Sequence, residues 1–520
     1  MSKRPLKSTL TVGSATLISR IFGYARDAVI FIVFGANAGT DAFFVAFRIP
    51  NFLRRLFAEG AFSQAFVPVM SSHLHQSEDQ FHRLINHVSG LLSLVLLFIT
   101  VIGILASPWL IMAFAPGFDD AEQKLLASDM LKITFPYLFF ISLTALSGSI
   151  LNIRHQFAAP ALTPVLLNIS LIGAAIWLSP KMEEPVVALA WGVFFAGIAQ
   201  LAFQLPFVLK AAALPVPKLS GAKAGVKKIL SLMLPAIFGS SIVQINLLID
   251  TIIASFLAVG SISWLYISDR FVELPLALFG IATATVILPM LSKHHVAKQE
   301  RQFNQTLQWA MKLSLLISIP AMLGLVVLAS PILSTLVQYR QFSLLDTQMA
   351  TLSLMAYAVG LPAFIYIKVL APGFYSRQDT KTPVKIGVVA MLVNITMNLV
   401  FVWAWFKLEL PGAHAGLALA TSLSAYVNAG LLFLLLRRAD VIKSSHQWLS
   451  LIIKVLFSSA IMVILLWWIV PDLSTWTAWD SVRRFSMLFV YIVVGLFSYV
   501  SLLLVLGIRP NQFRFSTNLN

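Results

Sequence analysis

The sequence contains no cysteine among its 520 residues. Disulfide bonds, thiol nucleophiles and cysteine metal sites are therefore excluded, and cysteine usage gives no information about the redox compartment. Charged residues are also scarce: they make up 11% of the chain, whereas a typical soluble protein carries about 25%. A large soluble α/β enzyme would need polar helix faces, and this chain lacks them.

Apolar residues are abundant instead, at 58% of the chain with a mean hydropathy of +0.86. Apolar runs of about 20 residues, the length that crosses a bilayer as a helix, recur from end to end. The sequence therefore predicts an all-α polytopic membrane protein with about 14 transmembrane helices. The predicted spans lie near 10–34, 42–70, 88–114, 126–152, 158–179, 186–209, 229–258, 262–291, 306–337, 347–375, 383–406, 413–436, 449–470 and 484–507.

Basic residues in the connecting loops alternate between the two sides of this topology. One side holds most of them, including five lysines of a connector at 210–228 (Lys210, Lys218, Lys223, Lys227 and Lys228) and the pair Arg437 and Arg438. The opposite side holds only Lys124, Lys181, Arg340, Lys407, Arg483 and Arg484. By the positive-inside rule, we expect both termini to be cytoplasmic. The first helix is expected to be retained, because no small-residue cleavage site follows the basic N-terminus.

The formal net charge of +16 is explained by this topology. The basic residues are scattered over short loops, so no nucleic-acid partner is expected. The loops are also too short to house an aqueous catalytic site. We therefore expect a protein that is not an enzyme.

A weak internal repeat divides the chain into two halves. The segment from Asp41 to Asn51 aligns without a gap with Ser263 to Glu273, so that Arg48 falls on Arg270. We expect two six-helix lobes related by pseudo-symmetry, as in transporters built from parallel repeats. The predicted divisions are an N-lobe at 1–209, the connector at 210–228, a C-lobe at 229–437, and two further helices with a tail at 438–520. Chance alignment of apolar segments is the alternative.

Charged and polar residues lie inside three of the predicted spans. At 100° per residue, Arg20 and Asp27 lie about 20° apart on the first helix, and Arg26 lies about 120° from Arg20. The second span carries Arg48, Asn51, Arg54, Arg55 and Glu59, and the eighth carries Ser263, Arg270 and Glu273. Each of these helices thus presents a polar stripe that contains arginine.

Two interpretations of these stripes stay open. The arginines either form structural ion pairs and snorkel to the headgroups, or they line a cavity that binds an anion. Acidic residues are too few to neutralise all the arginines, which favours the cavity. Guanidinium groups make two parallel hydrogen bonds to phosphate oxygens and do not lose their charge. The expected ligand is a phosphate or a diphosphate.

At these residues the sequence resembles a known family. The run from Ser19 to Val69 (SRIFGYARDAVIFIVFGANAGTDAFFVAFRIPNFLRRLFAEGAFSQAFVPV), together with SWLYISDRFVELP at 263–275 and KVLAPGFYSRQDTKTPVKI at 368–386, is similar to the MurJ (MviN) lipid II flippases. These belong to the multidrug/oligosaccharidyl-lipid/polysaccharide exporter superfamily. The resemblance covers essentially the whole chain.

The resemblance implies a function and a site. It implies a carrier in the bacterial inner membrane that moves lipid II to the periplasmic leaflet by alternating access, without a cofactor and as a monomer among membrane lipids. It also implies that Arg26, Arg54 and Arg270 hold the diphosphate and that Asp27 orients Arg26. Further matching cavity positions are Arg20, Asp41, Arg48, Asn51, Glu59, Ser263 and Glu273. The last two helices are expected to form a lateral groove for the lipid tail.

A second, weaker cluster combines an intramembrane acid with amides. Asp250 lies in the seventh span, Asn394 and Asn398 are i,i+4 neighbours in the eleventh, and Thr421 lies in the twelfth. Some members of the family hold a sodium ion with residues from these helices, and oxygen ligands suit such a hard cation. A hydrogen-bonded structural cluster is the alternative.

Three other functions are the alternatives. A cation-coupled drug exporter should carry acids and aromatic residues in its cavity rather than surplus arginine. A flippase for another polyprenyl-diphosphate oligosaccharide shares the diphosphate and stays open. A membrane glycosyltransferase would need an acidic metal-binding pair in an aqueous loop, and Asp119 and Asp120 have no supporting residues.

Overall fold

The computed structural model describes residues 3–57, 61–211, 214–219, 223–408, 411–442 and 447–509. These residues are almost entirely helical, and they include no β-strand. The helices are α1 (Lys3–Phe34), α2 (Ala38–Phe57), α3 (Ala61–Gln76), α4 (Glu78–Leu105), α5 (Ser107–Phe114), α6 (Ala121–Thr134), α7 (Tyr137–Ile153), α8 (Ala158–Gly173), α9 (Val187–Lys210), α10 (Lys223–Ala254), α11 (Ser261–Pro275), α12 (Ala282–Val296), α13 (Glu300–Leu336), α14 (Leu344–Val359), α15 (Leu361–Tyr375), α16 (Lys381–Lys407), α17 (His414–Arg438), α18 (Gln447–Ile469), α19 (Leu473–Ala478) and α20 (Ser481–Val505). The predicted all-α membrane fold is confirmed.

Within the described ranges, 11 helical segments are long and apolar enough to cross a membrane. They coincide with the predicted third to sixth and eighth to fourteenth spans. The first predicted span falls on α1 and the second on α2 with α3. Charged residues lower the hydropathy of α1 and α2, and α3 is only 16 residues long. The seventh falls on α10, of which Gln244–Ala254 is an apolar segment. The total of 14 spans stays a prediction.

Breaks within the spans follow proline and glycine. The helical run from Ala121 to Ile153 is interrupted at Pro136, and the run from Leu344 to Tyr375 is interrupted at Gly360. A π-helical stretch, Leu276–Ile281, follows Pro275 and separates α11 from α12. Proline removes a helical hydrogen bond and clashes with the preceding turn, so such irregularities are expected at these positions.

The described helices form two compact units. The first comprises the residues up to Ser263 together with Arg340–Phe342, and the second comprises Trp264–Tyr339 together with the residues from Ser343 onward. Helix α10, which was predicted to begin the C-lobe, packs against α2, α3 and α4 of the first unit. The two pseudo-symmetric six-helix lobes are a different division, based on the sequence repeat, and they stay a prediction.

The connector is held against α4 in the first unit. The backbone N–H of Lys218 donates to the backbone oxygen of Asn86 (2.9 Å), and the N–H of Val216 donates to its side-chain oxygen (2.8 Å). A Cβ atom at Gly90, one turn further along α4, would lie 2.3 Å from the Lys218 carbonyl oxygen. The absence of a side chain at Gly90 therefore permits the close approach of the connector.

In the second unit, Arg484 attaches the start of α20 to neighbouring segments. Its guanidinium donates to the backbone oxygens of Trp479 (3.0 Å) and Thr477 (2.6 Å), and to that of Ser334 in α13 (3.3 Å). The residue is 9% exposed. Carbonyl groups at the C-terminal ends of α19 and α13 lack helical partners. The arginine supplies hydrogen-bond donors to them.

We predict that Arg484→Gln destabilises the protein. The substitution leaves buried carbonyl oxygens without donors, which costs roughly 1–3 kcal/mol. Arg483→Gln is the matched control, since Arg483 stacks on the Trp479 ring from an exposed position and is worth about 0.5–1 kcal/mol. Thermal unfolding of both detergent-solubilised variants measures the difference. An equal effect of the two substitutions would contradict the assignment.

Candidate functional site

Arg26 and Asp27 lie buried in the C-terminal half of α1, with 5% and 2% exposure. Nε and Nη2 of Arg26 donate to Oδ1 of Asp27 at 2.8 and 2.6 Å. Nη1 donates to Oδ1 of Asn168 on α8 at 3.1 Å, and Asn168 Nδ2 donates in turn to the Ser19 backbone oxygen. The guanidinium is thus held by one charged and one neutral acceptor.

Asn168 is a site residue that the sequence prediction missed. It is 6% exposed and is the one amide side chain in the apolar sequence of α8. A polar side chain inside a membrane span is a functional candidate by default, because it is costly to place there. That signal was present, but the partner on α1 lies 142 positions away.

Arg20 lies on α1 six residues before Arg26, which is about 9 Å along the helix axis. It is half-buried. Within the described part of the chain, its guanidinium forms no hydrogen bond or ion pair. Its charge is therefore available to a ligand of the first unit.

Asp41 holds the first turn of α11. Its Oδ1 accepts from the backbone N–H of Ser263 (2.8 Å) and from the Ser263 hydroxyl (2.6 Å), and its Oδ2 accepts from the N–H of Gly260 (2.7 Å). Asp41 is 3% exposed and Ser263 is fully buried. A carboxylate is favourable at a helix N-terminus, where N–H groups lack helical partners. The two predicted site residues therefore bind each other.

The remaining residues of α2 differ in their partners. Arg48 donates to the Thr251 hydroxyl and to the Leu247 carbonyl oxygen, both on α10. Nε and Nη2 of Arg54 donate to Oδ1 of Asn51 at 2.9 and 2.7 Å. Arg48 thus joins two helices, and Asn51 orients Arg54 within one helix. Glu59 lies outside the described residues.

In the second unit, Arg270 and Glu273 form an i,i+3 ion pair of 2.7 Å on α11. The Arg270 guanidinium also donates to the Tyr266 hydroxyl (3.2 Å) and lies over the Tyr266 ring. The side chains of Arg270 and Glu273 remain 29% and 41% exposed. In the sequence repeat, Arg270 aligns with Arg48 and Glu273 aligns with Asn51. Arg270 pairs with Glu273, whereas Arg48 donates to α10 instead of Asn51.

Three of the four predicted sodium ligands form a chain of hydrogen bonds. Asn398 Nδ2 donates to Asn394 Oδ1 (3.0 Å), and Asn394 Nδ2 donates to Thr421 Oγ1 (3.2 Å). Both asparagines are fully buried in the second unit. Asp250 is buried in the first unit. A joint site of all four residues stays a prediction.

The first unit therefore offers the half-buried Arg20 and an oriented Arg26 and Arg54, and the second offers a partly exposed Arg270. Each of these groups suits an oxyanion with more than one oxygen. The convergence of Arg26, Arg54 and Arg270 from two units on one cavity stays a prediction.

We predict that the Asp41–Ser263 contact stabilises the fold. Asp41→Asn removes an acceptor from buried N–H groups, which costs about 1–3 kcal/mol. In a double-mutant cycle, Asp41→Asn and Ser263→Ala together should cost less than the sum of the single changes, because they share one interaction. Equilibrium unfolding measures the three variants.

Asp129→Asn is the control for this experiment. Its ion pair with Lys132 is about half exposed, so its loss should cost less than about 1 kcal/mol. Strict additivity of the Asp41 and Ser263 effects would contradict the coupling.

Comparisons with known proteins give a consistent result. A family model described as Lipid II flippase MurJ matches residues 30–502. The chain is 46% identical to a probable lipid II flippase MurJ of Vibrio cholerae over 527 aligned residues, and the alignment covers 99% of each chain. It is 39% identical to a lipid II flippase MurJ of Burkholderia cenocepacia, with 98% of each chain covered.

Solved structures extend the similarity to the fold. A lipid II flippase MurJ in an inward closed conformation has a TM-score of 0.81 at 28% identity, covering 95% of this chain and 98% of that chain. An inward-facing multidrug transporter of the MATE family has a TM-score of 0.65 at 15% identity, covering 83% of this chain and 98% of that chain. The second match, at its low identity, concerns the fold alone.

Proposed function

The chain belongs to the MurJ family of lipid II flippases, and on that premise we propose that it moves lipid II from the cytoplasmic to the periplasmic leaflet of the bacterial inner membrane. Lipid II is the peptidoglycan precursor linked to undecaprenyl diphosphate. The chain acts as a carrier, and no residue has a catalytic role.

One observation carries this proposal from the structure: the buried Arg26 guanidinium inside an apolar span. A charge near the bilayer centre costs roughly 2.5–3.5 kcal/mol on insertion scales, so its retention calls for a function. Asp27 and Asn168 act as positioning residues, since they hold the guanidinium through Nε, Nη1 and Nη2.

In this mechanism, the diphosphate binds to Arg26, Arg54 and Arg270, with Arg20 adding to the positive potential. Asn51 orients Arg54 and Glu273 orients Arg270, as their hydrogen bonds support. Asp41 and Ser263 contribute by fixing the start of the helix that carries Arg270. Alternating access of the two lobes then exposes the headgroup to one side of the membrane at a time.

The lipid tail needs no polar path, because it remains in the bilayer beside α18 and α20. Outward movement of an anionic headgroup is favoured by the membrane potential, by about 2.3 kcal/mol per charge per 100 mV. The same field draws the unloaded arginines back inward. Both termini are cytoplasmic in this proposal, and the carrier works as a monomer.

Sodium has no required step in the mechanism. Thr421 Oγ1 and Asn394 Oδ1 already accept amide N–H donors, so an ion bound by Asn394, Asn398, Thr421 and Asp250 would share these oxygens with the hydrogen bonds. The hydrogen bonds support the alternative interpretation, a structural cluster.

We predict that the chain rescues a bacterium depleted of its own lipid II flippase, and that Arg26→Ala and Arg270→Ala forms do not. Arg26→Lys should also fail or grow poorly, since an ammonium cannot replace the guanidinium fork. Arg301→Ala, at an exposed position on α13, is the matched control and should rescue fully. Immunoblots of membranes establish equal amounts of each form. Rescue by both alanine variants would overturn the diphosphate assignment.

A second prediction concerns the driving force. Valinomycin with external K⁺, which removes the membrane potential, should stop the appearance of lipid II headgroups on the outer face, as measured with a membrane-impermeant label. Nigericin, which removes the pH gradient and spares the potential, should leave it largely unchanged. Continued flipping without a membrane potential would contradict the electrostatic mechanism.

A further inference from the structure

The second unit contains an apolar cavity of about 540 Å³ that the transport mechanism does not use. Four helices line it: α13 along Met311, Leu315 and Ile319, together with α15, α17 and α18. The volume lies within the range of small-molecule and lipid pockets in proteins, about 300–1,000 Å³. The cavity borders α18 but does not include α20, so it differs from the tail groove expected between the last two helices.

Most residues that line this cavity are apolar, and its two tyrosine hydroxyl groups donate hydrogen bonds to backbone oxygens. Tyr366 donates to the Met311 carbonyl oxygen at 3.0 Å, and Tyr426 donates to the Val359 carbonyl oxygen at 2.9 Å. Their rings therefore face the cavity without an unmet polar group. Gly430 also lines the cavity, and a Cβ atom there would meet no atom within 4 Å.

One charged residue, Arg437, lines the cavity. It lies exposed in the last turn of α17. Within the described part of the chain, its guanidinium forms no hydrogen bond or ion pair. Trp448, an amphipathic residue of the kind found at membrane interfaces, also lines the cavity, with Lys312 Nζ over its ring. One end of the cavity is thus cationic and the rest is hydrocarbon-like.

The length of the cavity matches one leaflet. From Tyr426 to Arg437 the helix rises about 16 Å, which is about half of the roughly 30 Å hydrocarbon core of a bilayer. The basic end lies on the side that the loop charges predict to be cytoplasmic, and basic pockets between membrane helices on that side bind anionic headgroups.

We propose that this cavity is a binding site for an anionic glycerophospholipid of the cytoplasmic leaflet. One acyl chain fills the space between α13, α15, α17 and α18, and the phosphate diester pairs with Arg437. The site is separate from the substrate path, and it ties α18 to the bundle through the lipid.

Native mass spectrometry of the full chain in detergent tests the proposal, with palmitoyl-oleoyl phosphatidylglycerol and phosphatidylcholine as probes. Phosphatidylglycerol should bind at least about fivefold more tightly than phosphatidylcholine. Arg437→Gln should remove this preference, whereas Arg438→Gln, at the neighbouring exposed residue outside the cavity, should preserve it. Equal losses in the two arginine variants would overturn the site.

Filling the cavity provides a second arm. Gly430→Leu places a side chain in the open space and should abolish the tight binding of one phosphatidylglycerol. Gly324→Leu on α13 is the matched control, because its Cβ also meets no atom within 4 Å and it does not line the cavity. Thermal unfolding shows that both variants fold. Undiminished binding to the Gly430→Leu form, or displacement of the phospholipid by undecaprenyl phosphate, would overturn the proposal.

Discussion

A guanidinium group keeps its proton in the membrane, so an arginine buried in an apolar helix needs hydrogen-bond acceptors. The Arg26–Asp27–Asn168 contact meets this requirement on α1. The carboxylate comes from the adjacent residue and the amide from α8, which packs against α1. The same contact stabilises the helix pair and sets the direction of the guanidinium. In the proposed mechanism, helix packing and ligand recognition therefore depend on the same group of atoms.

The arginines outside α1 obey the same constraint in different ways. Arg54 donates to Asn51, three residues before it on its helix, and Arg270 donates to Glu273, three residues after it. Arg484 uses only carbonyl oxygens. A carboxylate neutralises the positive charge, whereas an amide or a carbonyl oxygen fixes the geometry and leaves the charge in place. The Asn51 amide thus orients Arg54 without itself cancelling its charge.

Hydropathy predicted the spans because each needs about 20 apolar residues whatever its neighbours are. Hydropathy did not predict the interruptions at Pro136 and Gly360, because a single proline or glycine within a long apolar run permits a kink without requiring one. Most polar residues of the candidate site were also found from the sequence, because polar groups are rare in membrane spans. Their partners were not. Asp41 and Ser263 were both predicted as cavity residues, yet their mutual hydrogen bonds depend on chain segments more than 200 positions apart. Asn168 was missed for the same reason.

The contact between the connector and α4 depends on the side chains of α4 but not on those of the connector. Val216 and Lys218 contribute only backbone N–H groups, whereas α4 contributes the Asn86 amide and the bare backbone at Gly90. Side-chain substitutions in the segment 214–219 should therefore be tolerated. Proline at 216 or 218 is the exception, because it removes a backbone N–H that donates to Asn86. We therefore expect the connector segment 214–219 to tolerate substitution, and α4 at Asn86 and Gly90 not to tolerate it.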